Sequence, residues 1–250
     1  MPWDFLLILL VLGVVVPWRG TLRIKQLLAR PRLETADRLA LYASTIAFQW
    51  IAVAVVAWRC LARGISGRDL GLAIGEPELT TATALALALI LSGIQFLSLR
   101  RLACLPAEHH GYLHRVAQKL LPHNHIEVFA FATLATTVAL CEEFLYRGFV
   151  FTVLQRAAAD SLLVAALGSS AMFALAHLYQ GRRGLASTFI VGMIFAVTRM
   201  GTESLAPSVL AHLLTDLMAG LWAPRMLTGP SDTAKPATAA TPPAGQAEDR

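Results

Sequence analysis

Long apolar runs restrict the folds open to this chain more than any other feature. They fall at about 5–18, 39–58, 79–99, 128–141, 162–177, 185–198 and 205–222, the fourth resuming beyond a charged cluster. A helix needs roughly 20 residues to cross ~30 Å of hydrocarbon, and the second and third runs meet that length. The first, fifth and sixth are shorter and need their weakly polar flanks to span. Hydrophobic residues make up 56% of the chain and charged residues 15%, a balance that fits a polytopic membrane protein better than a soluble one. Lipid admits only helices and closed barrels, and no alternating ten-residue strand pattern occurs. The expected fold is an all-α polytopic membrane protein, a bundle of about seven to eight transmembrane helices.

Charge placement predicts the orientation. Six Lys/Arg lie between the first two runs, and Arg100, Arg101, Arg115 and Lys119 lie between the third and fourth. Only Arg59, Arg63 and Arg68 separate the second from the third, so the first and third loops are expected to be cytoplasmic and the N-terminus external. In the first run the basic residues Arg19, Arg23 and Lys25 follow the apolar stretch, and no small-x-small cleavage site is evident. It therefore reads as a retained helix rather than a signal peptide. The net charge of +5 reflects these loops; it suits contact with membrane lipid and gives no sign of nucleic-acid binding.

The remaining landmarks are few. Cys60, Cys104 and Cys141 form no C-x-x-C pair, so neither a disulfide framework nor a zinc ribbon is expected. Five of the seven histidines, His109, His110, His114, His123 and His125, fall in the 100–127 connection, which reads as a solvated polar loop rather than a metal sensor. Within it "YLHRVAQKLL" has the spacing of a helix lying on the membrane surface. Residues 229–250 are rich in Ala, Pro and Thr and are expected to form a disordered tail, leaving 1–228 as the helical domain.

The stretch "ALCEEFLYRGFVF" sets Glu142, Glu143 and Arg147 inside apolar sequence. A charge at the centre of a membrane helix costs about 2.5–3.5 kcal/mol on insertion scales, which makes such residues functional candidates. Glu143 and Arg147 are four apart, share a helical face and can pair. Glu142 is turned ~100° away and has no local partner; a lone carboxylate of this kind could act as a general base on water. Two further segments carry polar groups: "MFALAHLY", with Phe173 and His177, and "LAPSVLAHLLTDLMAG", with His212 and Asp216 four apart. Pairing with Asp216 would fix the tautomer of His212. Taken literally, the apolar runs put His177 near the membrane face opposite Glu142. The three segments meet only if the fourth helix extends well past residue 147, or if "LGSS" at 167–170 bends the fifth.

Together, "EEFLYR", "FALAH" and "HLLTD" resemble the E-E-x-x-x-R, F-x-x-x-H and H-x-x-x-N/D series of the CAAX prenyl protease and bacteriocin-processing (abortive-infection) family of intramembrane proteases. Order and intervals match over roughly residues 126–222, and the first hundred residues contribute only generic membrane helices. The resemblance implies a bundle of about eight helices around a polar intramembrane cavity, open toward membrane and cytosol. It implies Glu142 as the base for water with His177 and His212 nearby, and Glu143 and Arg147 as supports. Asp216 stands where Asn is common; an ionised Asp cannot donate to an oxyanion, so it is either protonated or orients His212.

Members of this family are often labelled metalloproteases. No H-E-x-x-H occurs here, and a carboxylate base with two histidines needs no metal, so no cofactor is expected. Were zinc bound, Glu142, His177 and His212 would be its ligands. Cys141 reads as a small buried residue, and Ser169 and Ser170 lack the G-x-S-x-G setting of an elbow nucleophile. The expected activity is an intramembrane endopeptidase of the plasma membrane, acting on a lipid-anchored, possibly prenylated CAAX-type, or other membrane-associated peptide or protein. Two alternatives are a proton-coupled transporter or channel using Glu142, His177, His212 and Asp216 as a relay, and a noncatalytic immunity or scaffold protein.

Overall fold

The computed structural model describes residues 1–104 and 112–227. It consists of eight helical rods, with no strand among the described residues. These are α1 (Trp3–Ala29), α2 (Thr35–Ala62), α3 (Pro77–Ala103), α4 (Tyr112–Leu120), α5 (His125–Ala157), α6 (Leu162–Ala176), α7 (Gly181–Thr202) and α8 (Ala206–Leu227). The rods α1, α2, α3, α5 and α7 with its leading turn are long and apolar enough to cross a membrane. The polytopic helical bundle expected from the apolar runs is therefore present. The tail at 229–250 and His109 and His110 of the 100–127 connection lie outside the described residues.

Polar contacts at the rod ends define two faces. At the first, Arg38 of α2 donates to Glu127 of α5 (2.8 Å), and Glu127 also accepts from the His123 backbone N–H at 2.7 Å. Asn124 caps α5 by accepting from the Glu127 backbone N–H, and its amide donates back to the Glu127 carboxylate, both at 2.9 Å. Lys119 of α4 reaches back to the free carbonyl of Leu28 at the end of α1 (2.7 Å), and Tyr42 donates to the Leu120 carbonyl (2.5 Å). The loops before α2 and before α5 thus share one face, as their common basic character predicts. The amphipathic stretch around Tyr112 is the short helix α4, fastened across that face.

At the second face Asp4 accepts from both Arg59 and Arg63, at 2.6 and 3.0 Å. The loop between α2 and α3 folds inward there, burying Ile65 and Leu70. Its Asp69 carbonyl accepts from Thr152 (2.8 Å) and Arg199 (2.5 Å), and the Gly71 carbonyl accepts from the Leu205 backbone N–H (2.8 Å). Ser66 holds the Asp69 carboxylate below its ordinary range by hydrogen bonding to the ionised form. Gly148 of α5 keeps this contact close, because a Cβ would stand 3.2 Å from the Leu70 carbonyl oxygen and push the loop back by a few tenths of an ångström.

Two departures from regular rods position the site. In α5 the backbone widens to a π-helix over Glu143–Val150, all eight residues of which are buried. The rod continues to Ala157, so the extension past residue 147 does occur and Glu142 stands mid-rod in a 33-residue helix. In contrast α6 is regular through Leu167–Ser170, without the alternative bend, and has only 15 residues. At 1.5 Å per residue it reaches about 22 Å, short of ~30 Å of hydrocarbon. It ends at His177 inside the bundle, where the chain reverses through Leu178–Gln180 and Gly181 at φ +78°. Non-helical backbone at that depth requires cover by protein, and this turn packs against α1 and α4.

Arg38→Leu is expected to lower stability by about 3 kcal/mol, because it strands the fully buried Glu127 carboxylate. Thermal unfolding in detergent measures this, and an unchanged melting temperature would show that the clasp contributes nothing.

Candidate active site

Neighbouring positions on α5 are ~100° apart, so Glu142 and Glu143 face different helices. Glu143 accepts from Arg147 Nη1 at 3.0 Å, and neither side chain has any exposure. The pairing expected from the four-residue spacing is present. The same Glu143 oxygen also accepts from His212 Nδ1 of α8 at 3.1 Å. His212 Nε2 lies 3.6 Å from Asp216 Oδ2, within ion-pair range and longer than a hydrogen bond. Asp216, the partner expected from spacing, thus faces Nε2, while the hydrogen bond at Nδ1 goes to Glu143. The reason is that α8 runs against α5, where a buried carboxylate is closer than the next turn of its own helix.

Glu142 turns to α6 and α2. Its Oε2 lies 3.8 Å from His177 Nε2, and both side chains are nearly buried, at 12% and 14% exposure. That oxygen has no hydrogen-bond partner. His177 Nδ1 is 2.8 Å from the Phe173 carbonyl, which can only accept. The proton of a neutral ring is therefore on Nδ1, and the Nε2 lone pair points at Glu142. The other oxygen, Oε1, accepts from the Gln49 amide of α2 at 2.9 Å. Glu142 is without a partner on its own helix, as the spacing predicts, but not within the bundle.

Phe173 is the packing centre of the site. Its ring lies 4.7 Å from that of His177 and 5.9 Å from that of His212, and meets Tyr146 edge-on at 5.4 Å. The Arg147 guanidinium lies 4.0 Å above the same ring and 5.2 Å from Phe195 of α7. Stacking between two aromatic faces offsets part of the cost of burying the cation. Gly192 leaves room for it, since a Cβ there would sit 3.1 Å from both Arg147 Nη2 and Ser170 Cβ.

The seven residues singled out from sequence, Glu142, Glu143, Arg147, Phe173, His177, His212 and Asp216, thus converge. Asp216 is the most open, with 36% of its side chain exposed. Gln49, Phe195 and Gly192 also belong to the cluster and carry no motif. Only Gln49 left a signal, as the one amide in the apolar run "AFQWIAVAVV". Among the described residues no three His, Cys, Asp or Glu side chains are grouped to hold a metal ion. His212 presents each ring nitrogen to a carboxylate.

Residues 124–218 match the family model described as "Type II CAAX prenyl endopeptidase Rce1-like". The match begins at the cap of α5 and ends just beyond Asp216, so it encloses every motif residue. No curated protein and no solved structure matches the chain.

Arg147→Met should cost about 3–5 kcal/mol by leaving Glu143 charged, buried and short of its partner. Gly192→Ala should destabilise as well by crowding the guanidinium. Folded yield after size-exclusion chromatography reports both, and wild-type yield for Arg147→Met would refute the supporting role of the pair.

Proposed function

We propose that this chain, Rce1-like across its motif-bearing segment, is an intramembrane endopeptidase of the cell membrane in which Glu142 activates water. The facing pair of Glu142 Oε2 and His177 Nε2 carries this reading. Two acceptors 3.8 Å apart at mid-rod depth suit a molecule with two hydrogens to give, and a water donating to both is oriented and polarised for attack.

Glu142 takes the proton as the water oxygen bonds to the scissile carbonyl carbon, and delivers it to the amine as the C–N bond breaks. His177 keeps the water on the line of attack, its ring fixed by Phe173. The tetrahedral oxyanion needs a donor, which an ionised Asp216 cannot be. His212 fills that role, with Glu143 and Asp216 supporting the charge on its ring. Glu143 and Arg147 touch no reacting atom and position His212. These steps use carboxylate and imidazole alone, with no metal.

The substrate is a membrane-associated peptide or protein, of which a prenylated CAAX-type chain is the form the family suggests. A lipid anchor confines such a substrate to the bilayer, where the exposed flank of Asp216 gives access to the cluster. The run of Asp216, His212 and Glu143 would equally suit a proton relay, so the decisive assay measures both activities.

In proteoliposomes given prenylated and unprenylated peptides, cleavage should fall at least ~10²-fold in Glu142→Gln, His177→Ala and His212→Ala. Asp216→Asn should retain activity, and dialysis against a chelator should leave it unchanged. Proton flux without cleavage would replace this reading with transport, and zinc-restored activity after chelation would replace the metal-free chemistry.

A further inference from the structure

The Rce1-like match starts at residue 124, yet one side chain touching the proposed base comes from α2. Gln49 is 8% exposed, while its neighbours Phe48 and Trp50 are about half exposed, at 49% and 48%. The inward positions of α2, namely Arg38, Tyr42, Gln49, Val56 and Cys60, follow helical spacing. Gln49 occupies that stripe near the centre of a 28-residue helix, level with Glu142.

An amide is a poor choice for this position on packing grounds. Burying one without compensation costs several kcal/mol, and a Leu or Met would fill the same volume at no such cost. What the amide adds is a donor. Its Nε2 gives a hydrogen to Glu142 Oε1 at 2.9 Å, whereas Oε2 of the same carboxylate is left without a donor and faces His177. A carboxylate turns readily about its last torsion, which has no sharp staggered wells. Without Gln49, nothing among the described contacts would distinguish the two oxygens or hold the plane of the group toward His177.

We infer that Gln49 is a positioning residue for the hydrolytic reaction: its amide pins one oxygen of Glu142 so that the other is presented to the water beside His177. The inference rests on the reading of Glu142 as base, and it brings α2, outside the matched segment, into the working site. Gln49 does not touch the reacting atoms. It acts through Glu142, so its loss should slow the chemical step and leave substrate binding nearly intact. Displacing a reacting group by about 1 Å can cost on the order of 10²-fold in rate.

The test compares wild type, Gln49→Met, Gln49→Asn and the lipid-facing control Phe48→Leu, with Glu142→Gln as the inactive reference. Each is reconstituted with a farnesylated, internally quenched peptide. For Gln49→Met a fall in kcat of roughly 10- to 100-fold is expected, with KM within about threefold and a melting temperature equal to or above wild type. Gln49→Asn, one methylene too short to reach Oε1, should behave alike, and Phe48→Leu should match wild type. Independently of turnover, the infrared carboxylate band of Glu142, isolated as wild type minus Glu142→Gln, should shift when the same difference is taken with Gln49→Met.

Unchanged kcat, or a fall in kcat accompanied by a matching loss of thermal stability, would overturn the positioning role. So would an unmoved infrared band, whatever the activity. A shifted band in a protein that cleaves no peptide would leave the Gln49–Glu142 contact standing and refute the protease reading instead.

Discussion

The ion pair of Glu143 and Arg147 is the contact on which the centre of this bundle depends. Both groups are fully buried, in a segment whose surroundings cannot hydrate them. The carboxylate cannot lose its cation without being stranded, and the cation cannot shift without leaving its two aromatic faces. Because Glu143 also accepts from His212, and Arg147 lies between Phe173 and Phe195, this pair connects α5 to α6, α7 and α8. A polar contact that unites four helices in an apolar solvent fixes their rotations relative to one another. Apolar packing alone fixes them less firmly, since lipid tails compete for the same surface.

Depth is set by a different constraint, the length of α6. With a full span of helical residues between the start of α6 and His177, the imidazole would have reached the first face, far from Glu142. Fifteen residues stop it within the bundle, and the reversal at Gly181 is tolerated because α1 and α4 cover the turn. The π-helical stretch of α5 contributes in the same way. It leaves Glu142 at the end of the regular helix, aimed at α2 and α6, while Glu143 faces α8 and Arg147 lies between aromatic rings of α6 and α7. Two adjacent carboxylates thereby acquire separate surroundings: one oxygen of Glu143 accepts from an arginine and a histidine, one oxygen of Glu142 accepts from an amide, and the second oxygen of each has no donor.

Much of this cluster was legible in the chain because burying charge in a membrane is expensive. Glu142, Glu143, Arg147, His177, His212 and Asp216 stand out against apolar sequence, and their spacing along each helix carried the family resemblance that the match over residues 124–218 bears out. Gln49 was harder to see. A single amide in an apolar run is common, and nothing local shows which way it faces. Phe195 and Gly192 were invisible, since an aromatic ring and a small residue are ordinary occupants of any membrane helix. The second partner of His212 was hidden for a similar reason: helical spacing offers Asp216 alone, and only the approach of α5 adds Glu143 at Nδ1.

By itself the sequence determined the solvent and the class of fold. Its apolar runs require lipid, lipid requires helices, and the few charges within them must find one another. It also determined which side chains share a helical face, because that follows from 3.6 residues per turn. Only the tertiary structure decided the depth at which the faces meet, which oxygen of Glu142 is occupied, and which carboxylate receives His212 Nδ1. Those outcomes depend on where helices start and stop relative to their neighbours, a property of packing between segments far apart in the chain.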